Sequence, residues 1–174
     1  MANTYTLISS NTVGAGGASS VTFSAIPATY TDLVVLVSAR SNAVDTEEWM
    51  KLEFNGSGGT AYSSRLTYGN GSAATSAAEA GVAAVTYGAM NNAANSTSNQ
   101  FTNCEIYIPN YTSSSYKSFQ STIVEEQNAT KAFNAMTAGL WANTSAITSL
   151  KLTPSTAGTL VQYSTFTLFG IKKT

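Results

Sequence analysis

Hydrophobic and polar residues alternate in short runs along most of this chain. In the run WMKLEFN, Met50, Leu52 and Phe54 share one side, and mostly polar residues occupy the other. The runs TNCEIYIP at 102–109 and TSLKLTP at 148–154 repeat the alternation. Because successive side chains of a β-strand point to opposite faces, a period of two predicts strands with one buried and one exposed face.

Six further segments, bounded by turn signals, are predicted to be strands. They cover residues 4–10, 20–26, 32–40, 115–127, 131–142 and 159–173. The run LVVLV in the third of these is apolar on both faces, which is typical of a central strand covered on both sides, for example by another subunit. Turns rich in Gly, Asn and Pro separate the strands. Short strands punctuated in this way predict an all-β fold, an antiparallel β-sandwich or barrel.

Residues 70–99 do not follow this pattern. The segment is rich in Ala, Ser and Asn and contains few large apolar residues. Alanine propensity favours a short helix over 73–84, but Gly81 and the lack of an apolar stripe disfavour it. We therefore predict a long excursion with one short strand near Gly81–Met90. Because long loops in compact domains are often contact elements, partner contacts are expected here.

The composition indicates a single domain with an unusually uncharged surface. A chain of 174 residues fits one domain, here residues 1–174. Only 10% of the residues are charged, against roughly 25% in a typical soluble domain. The net charge of −1 provides no field to attract a phosphate backbone, so nucleic-acid binding is not expected. A nearly neutral surface rich in hydroxyl and amide groups favours association with other proteins.

The residue types that most catalytic sites need are missing. The chain has no histidine, which removes the commonest general base and the commonest transition-metal ligand. Cys104 is the only cysteine, and its place in a strand pattern predicts a buried, inert thiol. The G-x-S-x-G motif of serine hydrolases is absent. We predict no catalytic residue, no cofactor and no metal site, and therefore no enzyme activity.

The carboxylates form no recognisable catalytic or metal-binding pattern. Glu125 and Glu126 are adjacent in a predicted strand and point to opposite faces, so they cannot act together across a glycosidase cleft. Asp45, Glu47 and Glu48 occur in the run NAVDTEEW, whose spacing does not match an EF-hand loop. This run is predicted to be a solvated acidic turn.

The beginning of the chain predicts synthesis in the cytoplasm. The run MANTYTLISS has neither the basic region nor the continuous apolar region of a signal peptide. No apolar run approaches the ~20 residues of a membrane-spanning helix. Export by a signal peptide and membrane insertion are therefore not expected.

Four aromatic residues are candidates for partner contact: Trp49, Tyr107, Tyr111 and Tyr116. In the predicted register, Trp49 and Tyr107 point outward, and Tyr111 and Tyr116 flank a turn in EIYIPNYTSSSYKSF. Three interpretations remain open for these rings. They pack at a corner of the sandwich, they contact another subunit, or they form a platform on which sugar rings stack.

Several segments of the chain resemble a group of small virion proteins of tailed bacteriophages. They are the opening TYTLISSNTVGAGGASSVTFSAIPATYTDLVVLVSARS, the middle NCEIYIPNY followed by a strand with SF, the run AGLWANTSAITSLKLTP and the ending TLFGIKKT. The resemblance spans nearly the whole chain. The predictions made above from the residues alone do not depend on this resemblance.

The resemblance implies a jelly-roll β-sandwich that assembles as a homotrimer. Proteins of this group bind the outside of the phage capsid, in contact with the major capsid protein, as decoration or cement proteins. Related sandwiches form parts of tail fibres, spikes or baseplates, where they contact other tail proteins or host-surface glycans. The family pattern contains no catalytic residues, and the expected location is the virion.

Overall fold

The computed structural model describes residues 5–127 and 131–172, with only the backbone described for Gln127 and Lys131. In these residues the chain forms twelve strands and no helix. The strands are β1 (Tyr5–Thr12), β2 (Val21–Phe23), β3 (Asp32–Ser38), β4 (Glu47–Phe54), β5 (Tyr62–Gly69), β6 (Ala74–Val82), β7 (Val85–Asn92), β8 (Asn103–Ile108), β9 (Lys117–Gln127), β10 (Lys131–Trp141), β11 (Leu150–Pro154) and β12 (Thr165–Ile171).

The strands form two sheets. The larger sheet has eight strands in the order β1-β12-β3-β8-β9-β10-β5-β6, and the smaller has four in the order β2-β11-β4-β7. All neighbouring strands are antiparallel. The prediction of an all-β antiparallel fold is confirmed, the architecture is that of a β-sandwich, and each of the nine predicted segments contains a strand.

The connections cross repeatedly between the sheets. Every connection leads to the other sheet except those from β5 to β6, from β8 to β9 and from β9 to β10. The pairs β1–β12, β2–β11, β3–β8 and β4–β7 are all hydrogen-bonded. Two hairpins, β5–β6 and β9–β10, extend the larger sheet beyond these pairs. The extension brings the inner face of the hairpins against β7, the edge strand of the smaller sheet.

The core lies between the two sheets and contains a cluster of aromatic rings. Phe54 lies 5.6 Å from Trp141 and 5.7 Å from Phe119, measured between ring centroids. Tyr62 stacks on Trp141 with an interplanar angle of 18°. The ring of Phe119 covers Gly139 on the paired strand, where an added Cβ would come within 2.1 Å of a ring carbon. Glycine at this position therefore lets the ring lie flat against β10.

The segment predicted as an excursion is mostly strand. Residues 70–99 contain β6 and β7. The predicted strand near Gly81–Met90 corresponds to β7, but the segment holds two strands instead of one, and neither β6 nor the preceding β5 was predicted. Strand β6 consists mostly of small residues, and all its residues are exposed or half-buried, so it shows no hydrophobic alternation. Strand β7 is buried at successive positions. Because two of the buried residues, Asn91 and Asn92, are polar, the strand shows no hydrophobic alternation in the sequence.

The loop that follows β7 is held by one arginine. The Arg40 guanidinium donates hydrogen bonds to the Ser96 hydroxyl and to the carbonyl oxygens of Ala94, Ser96, Thr97 and Gln100. Arginine suits this role because its planar group carries five N–H donors in a fixed arrangement. The end of the sandwich near β4 and β7 is ordered by these bonds.

Cys104 is expected to resist thiol reagents in the folded protein. Its side chain is buried, as predicted, and burial raises the pKa of the thiol to about 12. Because the thiolate is the reactive species, Ellman's reagent near pH 8 should not label the native chain, whereas one thiol per chain should react in denaturant. Rapid labelling of the native protein would contradict this placement.

Candidate functional site

The outer face of the eight-stranded sheet is a broad surface with little charge. Two rows of directly paired residues cross all eight strands, and their side chains point away from the smaller sheet. The first row is Leu7, Phe169, Val34, Tyr107, Gln120, Ala138, Arg65 and Ala78, and the second is Ser10, Thr167, Leu36, Glu105, Thr122, Met136, Thr67 and Ser76. Each row contains one charged residue.

This outer face also carries most of the exposed apolar side chains. In the described residues, six of the nine exposed large apolar or aromatic side chains lie on it: Tyr5, Leu7, Leu36, Val124, Met136 and Leu140. Leu36 on β3 is 42% exposed, and Met136 on β10 is 58% exposed. Glu105 and Thr122 lie between Leu36 and Met136 in the second row, so the apolar side chains are spread over the face among polar ones. Exposed apolar side chains gathered on one face occur on surfaces that contact another protein.

The four aromatic candidates lie at four different places in the structure. Tyr107 lies on the outer face, where its hydroxyl donates a hydrogen bond to the Asp32 carboxylate at 2.9 Å. Tyr111 is fully buried and donates to the carbonyl oxygen of Pro27. Tyr116 is 61% exposed in the turn before β9. Trp49 packs among other rings elsewhere, so the structure brings no two of the four together.

Trp49 belongs to a pocket between the two sheets. The ring of Trp49 lies 5.2 Å from Tyr87, 6.3 Å from Phe133 and 6.5 Å from Tyr68, each in an edge-to-face arrangement. Tyr68 and Phe133 stack on each other at 5.3 Å. Together with Glu47, Leu66 and Ala77, these four rings line a cavity of about 170 Å³, which we call the aromatic pocket.

Burial and three neighbouring carboxylates raise the pKa of Glu125, which lies on β9 near the aromatic pocket. The Glu125 side chain is buried on the inner face of β9, where the Asn92 amide donates to its Oε1 at 3.3 Å and Oε2 has no hydrogen-bond partner. Burial raises the pKa of Glu125 to about 9, with further contributions from the negative charges of Glu47, Glu126 and Asp45. The carboxyl is therefore protonated at neutral pH.

The acidic run overlaps the beginning of β4, and only Asp45 lies in an exposed turn. Glu48 is buried, and its Oε1 accepts hydrogen bonds from the backbone N–H of Thr156, at 2.8 Å, and from the Thr156 hydroxyl. Glu47 begins β4 and is half-buried. The prediction is wrong because the strand starts within the acidic run, so alternation turns Glu48 inward. Glu125 and Glu126 do point to opposite faces, as predicted, with Glu125 inward.

The described residues contain no arrangement typical of a metal centre or a membrane helix. Within 5–127 and 131–172, no group of three or more Cys, Asp or Glu side chains could hold a metal ion. The same part of the chain contains no helix long and apolar enough to cross a membrane.

Comparisons with known proteins do not identify a family for this chain. No family model, no curated protein and no solved structure matches it. Functional inference therefore depends on the geometry of the outer face and the strands that form it.

The sequence pattern singled out Trp49 but predicted that it points outward, whereas its ring is half-buried among other rings. The pattern did not identify the rings around it. Tyr68 belongs to β5, which was not predicted, and Tyr87 belongs to β7, of which only a part was predicted. Phe133 belongs to the predicted strand at 131–142, but the direction of its side chain was not predicted. The run LVVLV gave the one available signal for the outer face, because Val34 and Leu36 are apolar on the side away from the core.

Proposed function

We propose that this chain is a non-enzymatic structural protein of a phage virion. The best-supported role is that of a capsid decoration protein, which binds the outer shell as a trimer and stabilises it. The proposal joins the resemblance to small phage virion proteins with the geometry of the outer face. No catalytic residue or cofactor takes part in this role.

The observation that carries the proposal is the outer face of the eight-stranded sheet. It extends over eight strands, contains one charged residue in each of its two rows, and presents Leu7, Leu36 and Met136 to solvent. Interfaces of permanent assemblies are more apolar and less charged at their centres than ordinary protein surfaces. Hydroxyl groups between the apolar side chains supply hydrogen bonds at little desolvation cost compared with charges.

The order of the strands supports the jelly roll that the resemblance implies. Without the two inserted hairpins, the remaining order is β1-β12-β3-β8 in one sheet and β2-β11-β4-β7 in the other. Strands β1 to β4 then pair in turn with β12, β11, β8 and β7, as in a long antiparallel ribbon rolled into two sheets. We infer a jelly roll with two hairpin insertions, a fold found in viral capsid proteins and also in lectin domains and cupins.

A decoration protein of this kind stabilises a shell by contacting several capsid subunits at once. A trimer offers three copies of the same contact surface, so weak individual contacts combine through a high effective concentration. Because the trimer binds the assembled lattice and not the separated subunits, mass action favours the intact shell.

Charged substitutions on the outer face are expected to prevent assembly. Wild-type protein should sediment as a trimer and bind heads that lack the protein, whereas L36E or M136E should lose trimerisation, head binding or both, because each buries a carboxylate in an apolar contact. The matched control is V44E, since Val44 is 88% exposed but lies in the loop before β4, off the outer face. Equal behaviour of all three variants in sedimentation and head binding would contradict the proposed surface.

Copy number separates the head from the tail. Quantitative mass spectrometry should find the protein in virions at hundreds of copies, in a simple ratio to the major capsid protein. A few to a few dozen copies would instead support the alternative, a tail-fibre, spike or baseplate module that contacts host glycans. Absence from the virion would overturn both versions.

A further inference from the structure

The two sheets differ in how their edges are protected. An open edge strand presents unpaired N–H and C=O groups to other strands, and proteins usually keep such edges short or covered. The smaller sheet follows this rule, since β2 has three residues and β7 lies against the two hairpins. The larger sheet does not, because in the described part of the chain its edge strands, β1 with eight residues and β6 with nine, each pair on one side only.

Neither edge of the larger sheet carries the features that prevent strand pairing. Pro and Lys, which natural edge strands use to block pairing, are absent from β1 and β6. The one charged side chain, Glu79 of β6, is half-buried, and its carboxylate accepts hydrogen bonds from the Ser64 hydroxyl at 2.9 Å and the Thr86 N–H at 2.8 Å. A bulge at Ile8 shifts the register between β1 and β12 but adds no charge. Both edges are therefore open to another strand.

The directions of the edge strands suit a head-to-tail contact. Eight strands, each antiparallel to its neighbours, place β1 and β6 in opposite directions. A second copy set beside the first in the same orientation brings its β1 antiparallel to β6 of the first, so the sheet continues across the junction. Pairing β6 with β6 across a two-fold axis would instead use one edge and leave the other open.

The side chains of the two edges complement each other in size. On the outer face β1 presents Tyr5, which is 50% exposed, and Leu7, which is 58% exposed. On the same face β6 presents Ser76, Ala78 and Ala80, which are all small and exposed. Because opposed and diagonal side chains of paired strands contact each other, the large apolar groups of one copy can lie over the small residues of the next. The apolar surface of Tyr5 and Leu7 is then removed from water.

We propose that β1 of one copy pairs antiparallel with β6 of the next copy, so that copies join edge to edge through the larger sheet. The contact is head-to-tail because it joins two different edges, and such contacts close into a ring when the rotation between copies permits it. The inference rests on the homotrimer of the proposed function and assigns the interface between its subunits. The outer face then continues from subunit to subunit and stays free to contact the shell.

Cross-linking between the two edges tests this pairing. The variant S10C/S76C places one thiol on each edge, at two exposed serines of the outer face, while the native Cys104 is buried. Within one chain, seven strand spacings of about 4.8 Å put the two positions roughly 30 Å apart, so a short flexible bis-maleimide joins them only between copies. We expect the reagent to convert the purified protein into covalent trimers on a denaturing gel.

The matched control moves the second thiol off the edge. S10C/S114C keeps the thiol on β1 and places the other in the exposed turn between β8 and β9, so it should give no covalent trimer. A trimer in sedimentation whose S10C/S76C form gives no cross-linked product would overturn the edge pairing and leave the trimer standing. A chain that stays monomeric at every concentration would overturn both, and the copy number in virions decides the virion role separately.

Hydrogen exchange tests the same pairing without substitutions. About half of the amides of an open antiparallel edge have no partner in the sheet, so they exchange quickly in a single chain. In the trimer, the outward amides of β1 and β6 should exchange at least about tenfold more slowly. Fast exchange at both edges of the trimer would contradict the proposal. Protection that appears only on phage heads would assign the edges to a strand of the capsid protein and would likewise overturn the pairing between copies.

Discussion

Replacing Glu125 with glutamine is expected to stabilise the folded protein at neutral and alkaline pH and to change little near pH 4.5. The pKa of this buried carboxyl is raised from 4.5 to about 9, chiefly by burial and then by Glu47, Glu126 and Asp45. Between these two values the folded state keeps the proton and the unfolded state loses it. Stability therefore falls as pH rises through this window, by at most about 1.4 kcal/mol per pH unit.

Glutamine removes this linkage because it stays neutral at every pH. Its amide oxygen can still accept the hydrogen bond from Asn92, so the side chain fits the same space. The measurement is the free energy of unfolding of E125Q minus that of the wild type, from urea titrations at several pH values. The difference should grow from near zero at pH 4.5 to several kcal/mol at about pH 9.

An exposed carboxylate on the neighbouring strand provides the control. E105Q changes a side chain on the outer face and should alter stability by no more than about 0.5 kcal/mol at any pH. If the E125Q and wild-type stability curves run parallel over the whole window, the carboxyl of Glu125 is ionised in the folded protein and the prediction is wrong.

Truncating Trp141 to alanine is expected to cost about 3–5 kcal/mol of stability, the usual range for a large buried aromatic residue. Its ring stacks on Tyr62, contacts Phe54 and lies 6.0 Å from the Lys117 ammonium, so the substitution leaves a cavity beneath several neighbours. Denaturant titration of W141A measures the loss, and the fluorescence of the remaining Trp49 reports the transition.

Two further variants show whether the cost comes from the lost ring. W141F keeps most of the ring stack and removes an indole N–H that has no hydrogen-bond partner, so its loss should be less than half that of W141A. Y116A removes an exposed ring and should stay within about 0.5 kcal/mol of the wild type. A loss below about 1 kcal/mol for W141A would show that the ring cluster is not central to the core.

The alternation of residues predicted the strands because it is a local property. Met50, Leu52 and Phe54 are all fully buried, and Leu150 and Leu152 repeat this on the strand that pairs with theirs. The same rule failed where a strand lacks contrast between its faces. In β6 small residues are accessible on both sides, and in β7 Asn91 and Asn92 occupy buried positions.

The sequence by itself determined the all-β class, the inward side of each alternating strand, the sparse charge and the lack of histidine. Only the tertiary structure decided which strands are neighbours, because pairings such as β1 with β12 join residues more than 150 positions apart. The rows of the outer face, the rings around Trp49 and the raised pKa of Glu125 all depend on such pairings. An alternating pattern fixes which way a side chain points, and long-range packing alone fixes what it meets there.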